Sequence, residues 1–186
     1  MIDYFKYHWK TTEVDPHVID CIKNAHIILD VGCGFNDYKK YAKKPQYFKG
    51  IDIANEVADE VIDIIDFKTE KIFDLIICYG SINFYDEKWV GDRLEKVVNL
   101  LDDTPGSRIC MKVNPGNPHA DGTMLDFFPW TMDYARHIAN KYGLVIENFR
   151  TKNTPGGRFK FDFVRSEYPY TKQAEDIYAF VWIEYF

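Results

Sequence analysis

The sequence predicts an α/β fold built on a mostly parallel sheet with helices on both faces. Three observations carry that prediction. Strand and helix signals alternate down most of the chain, the mark of repeated strand-helix-strand units. The run Phe73-Asp74-Leu75-Ile76-Ile77-Cys78-Tyr79 is nearly all aliphatic, as a strand buried on both faces must be. Finally, an apolar stretch breaks at Asp30-Val31-Gly32-Cys33-Gly34 into closely spaced glycines ahead of a helix-like segment. Glycine accepts positive φ and lacks Cβ, so such a turn can present bare N–H groups to a small ligand.

The elements follow in order. A helix over 15–22 opens with an Asp15 cap and Pro16 at its first position. Residues 27–31 form the first buried strand, and 38–43 a short helix stopped before Pro45. Residues 47–53 read as the second strand, ending at Asp52, and 60–64 as the third. The short link between these two is less than a parallel crossover normally needs, so this layer is expected to lack its helix and keep an extended or single-turn connection.

After the strand at 73–79, Val90, Leu94, Val97, Val98 and Leu101 recur at helical spacing between charges, and Pro105-Gly106 ends that helix. Residues 107–113 form a fifth strand. Residues 114–126 hold prolines and glycines without a period, a loop length that in compact domains usually serves function. A helix over 129–142, closed by Gly143, leads to a strand at 144–150. Two strand-like segments end the chain: 158–164, whose Phe159, Phe161 and Phe163 read as core, and 178–186. Arg158, Lys160 and Arg165 beside that stripe suit either an anionic substrate or a solvated face. The aromatic head of Tyr4, Phe5, Tyr7 and Trp9 suits packing on the domain edge or a lid over a ligand.

With 186 residues and no linker-like stretch, the chain reads as a single domain over 1–186. A hydrophobic content of 46% and an aromatic content of 17% argue for a packed core against disorder. The net charge of −6 offers no field for a polyanion, so extended nucleic-acid binding is not expected. No apolar run is long enough to span a bilayer and no signal-peptide core stands at the N-terminus, so a soluble cytoplasmic protein without a membrane partner is expected. Cys21, Cys33, Cys78 and Cys110 form no C-x-x-C pair and read as reduced, mostly buried thiols. His8, His17, His26 and His137 have no acidic or histidine neighbour at metal-ligand spacing; they read as structural, and no metal is expected. Oligomeric state is not addressed by any of these features.

Two ligand classes use a glycine turn after a first strand. A dinucleotide needs G-x-G-x-x-G, but the third position here is Asp37, whose carboxylate would repel a pyrophosphate by several kcal/mol in a partly dry site. A phosphate-free adenosine carrying positive charge fits better. S-adenosylmethionine has a sulfonium and an ammonium that Asp30 and Asp37 would attract, and a carboxylate that backbone N–H groups can take.

Asp30-Val31-Gly32-Cys33-Gly34 resembles the first motif of the class I S-adenosylmethionine-dependent methyltransferases, D-x-G-x-G-x-G, with Asn36 in place of the last glycine. Asn tolerates left-handed geometry, so the turn should survive. The resemblance continues in order over about residues 27–113. Gly50-Ile51-Asp52-Ile53 matches the acidic second-strand end that binds the ribose hydroxyls in that family. Asp63 with the backbone of Ile64 matches the acidic third-strand end that contacts adenine, with Asp66 as a competing acid read as a loop residue or cap. Phe73 to Tyr79 matches the fourth strand, whose exit through Gly80, Ser81 and Asn83 borders the methyl group and its acceptor.

The resemblance implies a Rossmann-like fold of about seven strands with an antiparallel strand near the C-terminus. It implies S-adenosylmethionine as donor, S-adenosylhomocysteine as product and a small-molecule acceptor of unidentified kind. Cys33 and Tyr79 complete the donor contacts it implies. His119 and Asp121, in the loop 114–126, are the general-base candidates. Two other readings stay open: a nucleoside-binding module or partner subunit without chemistry, and an NAD-dependent oxidoreductase, which Asp37 disfavours.

Overall fold

Seven strands among the described residues form one sheet in the order β3-β2-β1-β4-β5-β7-β6. They are β1 Ile27–Val31, β2 Tyr47–Asp52, β3 Glu60–Val61, β4 Leu75–Tyr79, β5 Arg108–Val113, β6 Leu144–Thr151 and β7 Phe159–Arg165. Pairings are parallel except at β7, which runs antiparallel to both β5 and β6. The computed structural model describes residues 14–115, 127–151 and 158–167. The aromatic head, His8, the general-base candidates His119 and Asp121, and the strand expected at 178–186 lie outside the described residues.

Alternation along each strand divides the core. Leu29, Ile76, Met111, Phe161 and Phe163 face α2 (Glu87–Leu100) and α3 (Met132–Tyr142), where they meet Leu94, Val97 and Ile138. Ile28, Leu75, Ile77 and Cys110 face the other way and meet Val18 and Ile22 of α1 (Pro16–Asn24). Burying apolar residues on both faces is what makes β4 an unbroken apolar run. No helix among the described residues is long and apolar enough to cross a membrane.

Boundaries shift where side chains capture backbone groups. Thr131 accepts the Tyr134 N–H and caps α3, so Pro129 and Trp130, expected in the helix, precede it. The segment expected as a helix at 38–43 is a single 3₁₀ turn, Lys39–Tyr41. The link from β2 to β3 carries no helix, as its length requires: Asp52 Oδ1 accepts from both Ala54 N–H and Asn55 N–H and folds the chain back tightly. The strand expected over 60–64 ends at Val61, because Asp63 Oδ1 accepts the Ile65 N–H at 3.2 Å and starts a turn.

Asp15 does more than cap α1. Its buried carboxylate accepts from the His17 N–H and Tyr79 Oη and pairs with Lys160 and Arg150, joining the helix to β4, β6 and β7. Burial pushes this carboxyl up, but those donors outweigh it and hold it at about 2.

One expectation is overturned here. His17 does have an acidic neighbour: its Nε2 lies 2.6 Å from Asp162 Oδ2 on β7. Spacing along the chain could not show a partner supplied by a strand so distant in sequence.

Candidate functional site

The glycine turn sits at the C-terminal end of β1, where the N–H groups of Gly32 and Cys33 both donate to Ile51 O at 2.8 and 3.0 Å. Gly32 and Gly34 have φ of 69° and 54°, and Asn36, at 60°, takes the left-handed place of a third glycine. Gly32 is also sterically required: a Cβ there would lie 2.4 Å from Ser81 Cβ. Gly50 serves the same turn, since a Cβ on it would meet Asn36 Oδ1 at 2.4 Å. The turn therefore lies flat on β2 and against the exit of β4.

Beside it opens a cleft at the C-terminal ends of β1 to β4. Ile51, Ile53, Ile62, Ile64, Ile82 and Phe84 supply apolar walls, while Asp52, Asp63 and Ser81 supply polar groups. Asp52 is held rigidly at the end of β2. Its Oδ1 takes two backbone N–H groups, and among the described residues Oδ2 accepts only the Gly34 N–H at 3.0 Å. A carboxylate oxygen has two lone pairs, so Oδ2 keeps acceptor capacity for a hydroxyl.

Sequence reasoning missed one wall of this cleft. Trp89 and Arg93, four residues apart on α2, line it together, with the Arg93 guanidinium stacked 3.6 Å from the Trp89 ring centroid. Arg93 also pairs with Asp63 Oδ2. Asp63 thus reaches the cleft as an ion-paired carboxylate in a turn beyond β3, not as a free acid at a strand end. The i, i+4 Trp–Arg pair at the start of an amphipathic helix was the available signal. Asp66 is exposed.

Asp30 lies beneath the turn and does not line the cleft. It is 2% exposed, and its Oδ2 has no hydrogen-bond partner among the described residues. Burial, with Asp52 and Asp37 nearby, pushes its carboxyl up to about 8, so it holds a proton at neutral pH. Asp37, expected at the ligand, does not line the cleft either and lies 3.9 Å from Lys40 Nζ. Burial, and then Asp30 and Asp52, push the Cys33 thiol up, which makes it a poor nucleophile.

The remaining expected residues divide. Gly32, Asp52, Ile53, Asp63, Ile64 and Ser81 line the cleft, and the Ser81 hydroxyl is buried without a hydrogen-bond partner among the described residues. Tyr79 does not line it: strand alternation turns it to the α1 face, where its hydroxyl bonds Asp15. Gly80 donates its N–H to Lys112 O at 3.0 Å. Asn83 is buried and spent on structure, its Oδ1 accepting the Asn114 N–H at 3.0 Å, so it ties the exits of β4 and β5 together. Lys160 and Arg165 are held by Asp15 and Asp103, which removes them from any anion site.

Neither a family model nor a curated protein matches the sequence. Solved structures do match the fold. The N-methyltransferase NodS from Bradyrhizobium japonicum WM9, in complex with S-adenosyl-L-homocysteine, aligns with a TM-score of 0.58 and 13% identity over 80% of this chain and 85% of that one. The 1,6-didemethyltoxoflavin-N1-methyltransferase of Burkholderia thailandensis, with 1,6-didemethyltoxoflavin and S-adenosylhomocysteine bound, gives 0.61 and 12% over 81% and 76%. Magnesium protoporphyrin IX methyltransferase ChlM of Synechocystis PCC 6803, with bound SAM, gives 0.63 and 14% over 88% and 94%. At these identities the likeness is one of fold: the strand order and the antiparallel β7 are those of a Rossmann-like methyltransferase fold.

Proposed function

We propose that this chain is an S-adenosylmethionine-dependent methyltransferase acting on a small molecule. The observation that carries the reading is Asp52, fixed at the end of β2 between the glycine turn and an isoleucine-lined slot, with one oxygen still able to accept. A ribose diol beside a flat heteroaromatic ring needs that combination of acceptor and apolar walls.

In this reading Asp52 accepts from the ribose hydroxyls, and Ile53, Ile62, Ile64 and Phe84 sandwich the adenine. Asp63 and the Ile64 backbone stand at its edge, and the Trp89–Arg93 stack closes the outer side. The methionine end lies over Gly32 and Gly34. Asp30 beneath it would exchange its proton for the ligand's positive charge, since a cation nearby restores a carboxylate's ordinary acidity.

Transfer then needs positioning more than chemistry. A lone pair of the acceptor attacks the methyl carbon in line with the carbon–sulfur bond, whose electrons return to the sulfonium and neutralise it. The acceptor's proton leaves to solvent or to a base from the loop 114–126, where His119 and Asp121 are the candidates. The apolar walls favour this step because charge disappears at sulfur as the bond breaks. Ser81, at the floor beside the turn, supplies a neutral hydrogen bond to donor or acceptor.

Calorimetric titration with S-adenosylmethionine and S-adenosylhomocysteine tests the reading, with micromolar binding of both expected. A thermal-shift series that stabilised the chain with NAD more than with S-adenosylmethionine would overturn it. Release of S-adenosylhomocysteine from a panel of small-molecule acceptors separates an enzyme from a binding module.

A further inference from the structure

We propose that His17, Cys21, Cys110 and Asp162 form a zinc site that clamps α1 to the sheet. This inference is independent of the methyltransferase reading, because these residues line neither the cleft nor the glycine turn. His17 and Cys21 stand one turn apart on α1, Cys110 lies on β5, and Asp162 lies opposite it on β7. One ligand atom from each falls within 4.8 Å of all the others.

The geometry suits a small tetrahedral ion. Zinc bonds of about 2.0–2.3 Å place ligand atoms roughly 3–4 Å apart, and His17 Nε2 lies 3.6 Å from Cys21 Sγ. Bringing the four atoms onto one centre closes separations that now lie within 4.8 Å and opens the 2.6 Å contact between His17 Nε2 and Asp162 Oδ2. Two thiolates, an imidazole and a carboxylate select zinc over oxygen-preferring calcium or magnesium, and four protein ligands make a closed, structural site.

Three further observations point to a bound cation. Asp162 is fully buried, yet its Oδ1 has no hydrogen-bond partner among the described residues. Leaving a carboxylate oxygen unpaired in a core is costly, and a metal bond supplies what is missing. The charges also balance: two thiolates and a carboxylate around a divalent ion leave one negative charge, and Arg108 Nη1 lies 3.3 Å from Asp162 Oδ2.

Finally, β6 is bulged between Glu147 and Arg150, with Asn148 at φ 53°. That conformation turns the Asn148 amide to donate to Asp162 Oδ2 at 2.8 Å. Bulges re-aim side chains next to functional sites, and a ligating carboxylate is itself held by hydrogen bonds. A solvent-facing cleft bordered by His17, Cys21 and Arg108 gives the ion an entrance. Binding sends the two thiol protons to solvent and shifts the His17 proton from Nε2, where it bridges to Asp162 Oδ2, to Nδ1, so that a neutral imidazole ligates through Nε2.

The test uses the full chain, reduced, stripped with chelator and titrated with cobalt(II), then zinc. The wild type should take up one equivalent of cobalt with thiolate-to-metal charge-transfer absorption and the visible bands of a tetrahedral ion, and zinc should displace it. Zinc at a hundredfold excess over Kd should raise Tm by about 5–10 °C. Cys21→Ser, at the partly exposed rim, should keep the wild-type circular dichroism spectrum and lose both responses. Asn148→Ala should keep the tetrahedral spectrum with affinity about 10–100-fold weaker, and His26→Gln should change nothing. Absence of the charge-transfer band in the wild type, a Cys21–Cys110 disulfide in the chain as isolated, or unchanged zinc affinity in Cys21→Ser would each overturn the proposal.

Discussion

Replacing Asp30 by Asn should remove a pH dependence that the wild type carries near neutrality. Burial first, then Asp52 and Asp37, raise this carboxyl from 3.8 to about 8. A group whose folded pKa is raised binds its proton more tightly folded than unfolded. Its contribution to stability is therefore fully present below about pH 4 and is lost as pH rises through the window from 3.8 to about 8. Each unit inside that window costs about 1.4 kcal/mol. Between about pH 6 and about pH 8 the curve flattens at its upper end, and the loss comes to about 2 kcal/mol, or about 4–8 °C in Tm for a chain of this size.

Asn has nearly the volume of Asp and does not titrate, so Asp30→Asn should melt above the wild type by a margin that widens with pH. Scanning calorimetry of both proteins over a pH series measures that margin. Asp30 acts on Cys33, Cys78 and Tyr38, but burial holds all three well above this range, so they stay protonated from about pH 6 to about pH 8 in both proteins. A Tm difference that stayed constant from about pH 6 to about pH 8 would refute the raised pKa and the proton exchange proposed for donor binding.

Asp52→Ala should weaken S-adenosylmethionine by more than about tenfold and cost about 1–3 kcal/mol of stability through the three N–H groups it orphans; unchanged calorimetric affinity sinks the ribose assignment. Gly32→Ala combines a left-handed φ, worth about 1–2 kcal/mol, with a 2.4 Å contact on Ser81, whereas a Cβ at Gly34 meets nothing within 4 Å. Gly32→Ala should therefore lower Tm distinctly more than Gly34→Ala and abolish donor binding, and equal melting points would show that the turn does not press on the β4 exit. Arg93→Ala and Asp63→Ala should be non-additive by about 1–2 kcal/mol in a chemical-denaturation double-mutant cycle. Additive effects would mean that the pair at the cleft wall is incidental.

Much of the site was legible locally. Gly32, Gly34, Asn36 and Asp52 announce themselves because a positive φ or a carboxylate at a strand end follows from a few adjacent residues, and each has the backbone geometry or cleft position expected of it. Asp63 was legible as an acid near the cleft, but its partner was not, since Arg93 arrives from a helix thirty residues on. Proximity to the β4 exit, which is all the sequence offers, points Tyr79 to the donor and Asn83 to the acceptor. The parity of the strand sends Tyr79 to the other face, and an orphan N–H at Asn114 claims Asn83.

The sequence by itself determined the α/β alternation, the missing helix after β2 and the glycine turn, because helix period, strand length and glycine's conformational freedom are properties of neighbouring residues. Only the tertiary structure decided the charge at the site and the company that distant residues keep. Burial of Asp30 raises an ordinary acid until it keeps its proton near neutrality, and the antiparallel β7 sets Asp162 against Cys110 beneath His17 and Cys21. Desolvation and cross-strand register depend on what packs from far along the chain, and no local pattern encodes them.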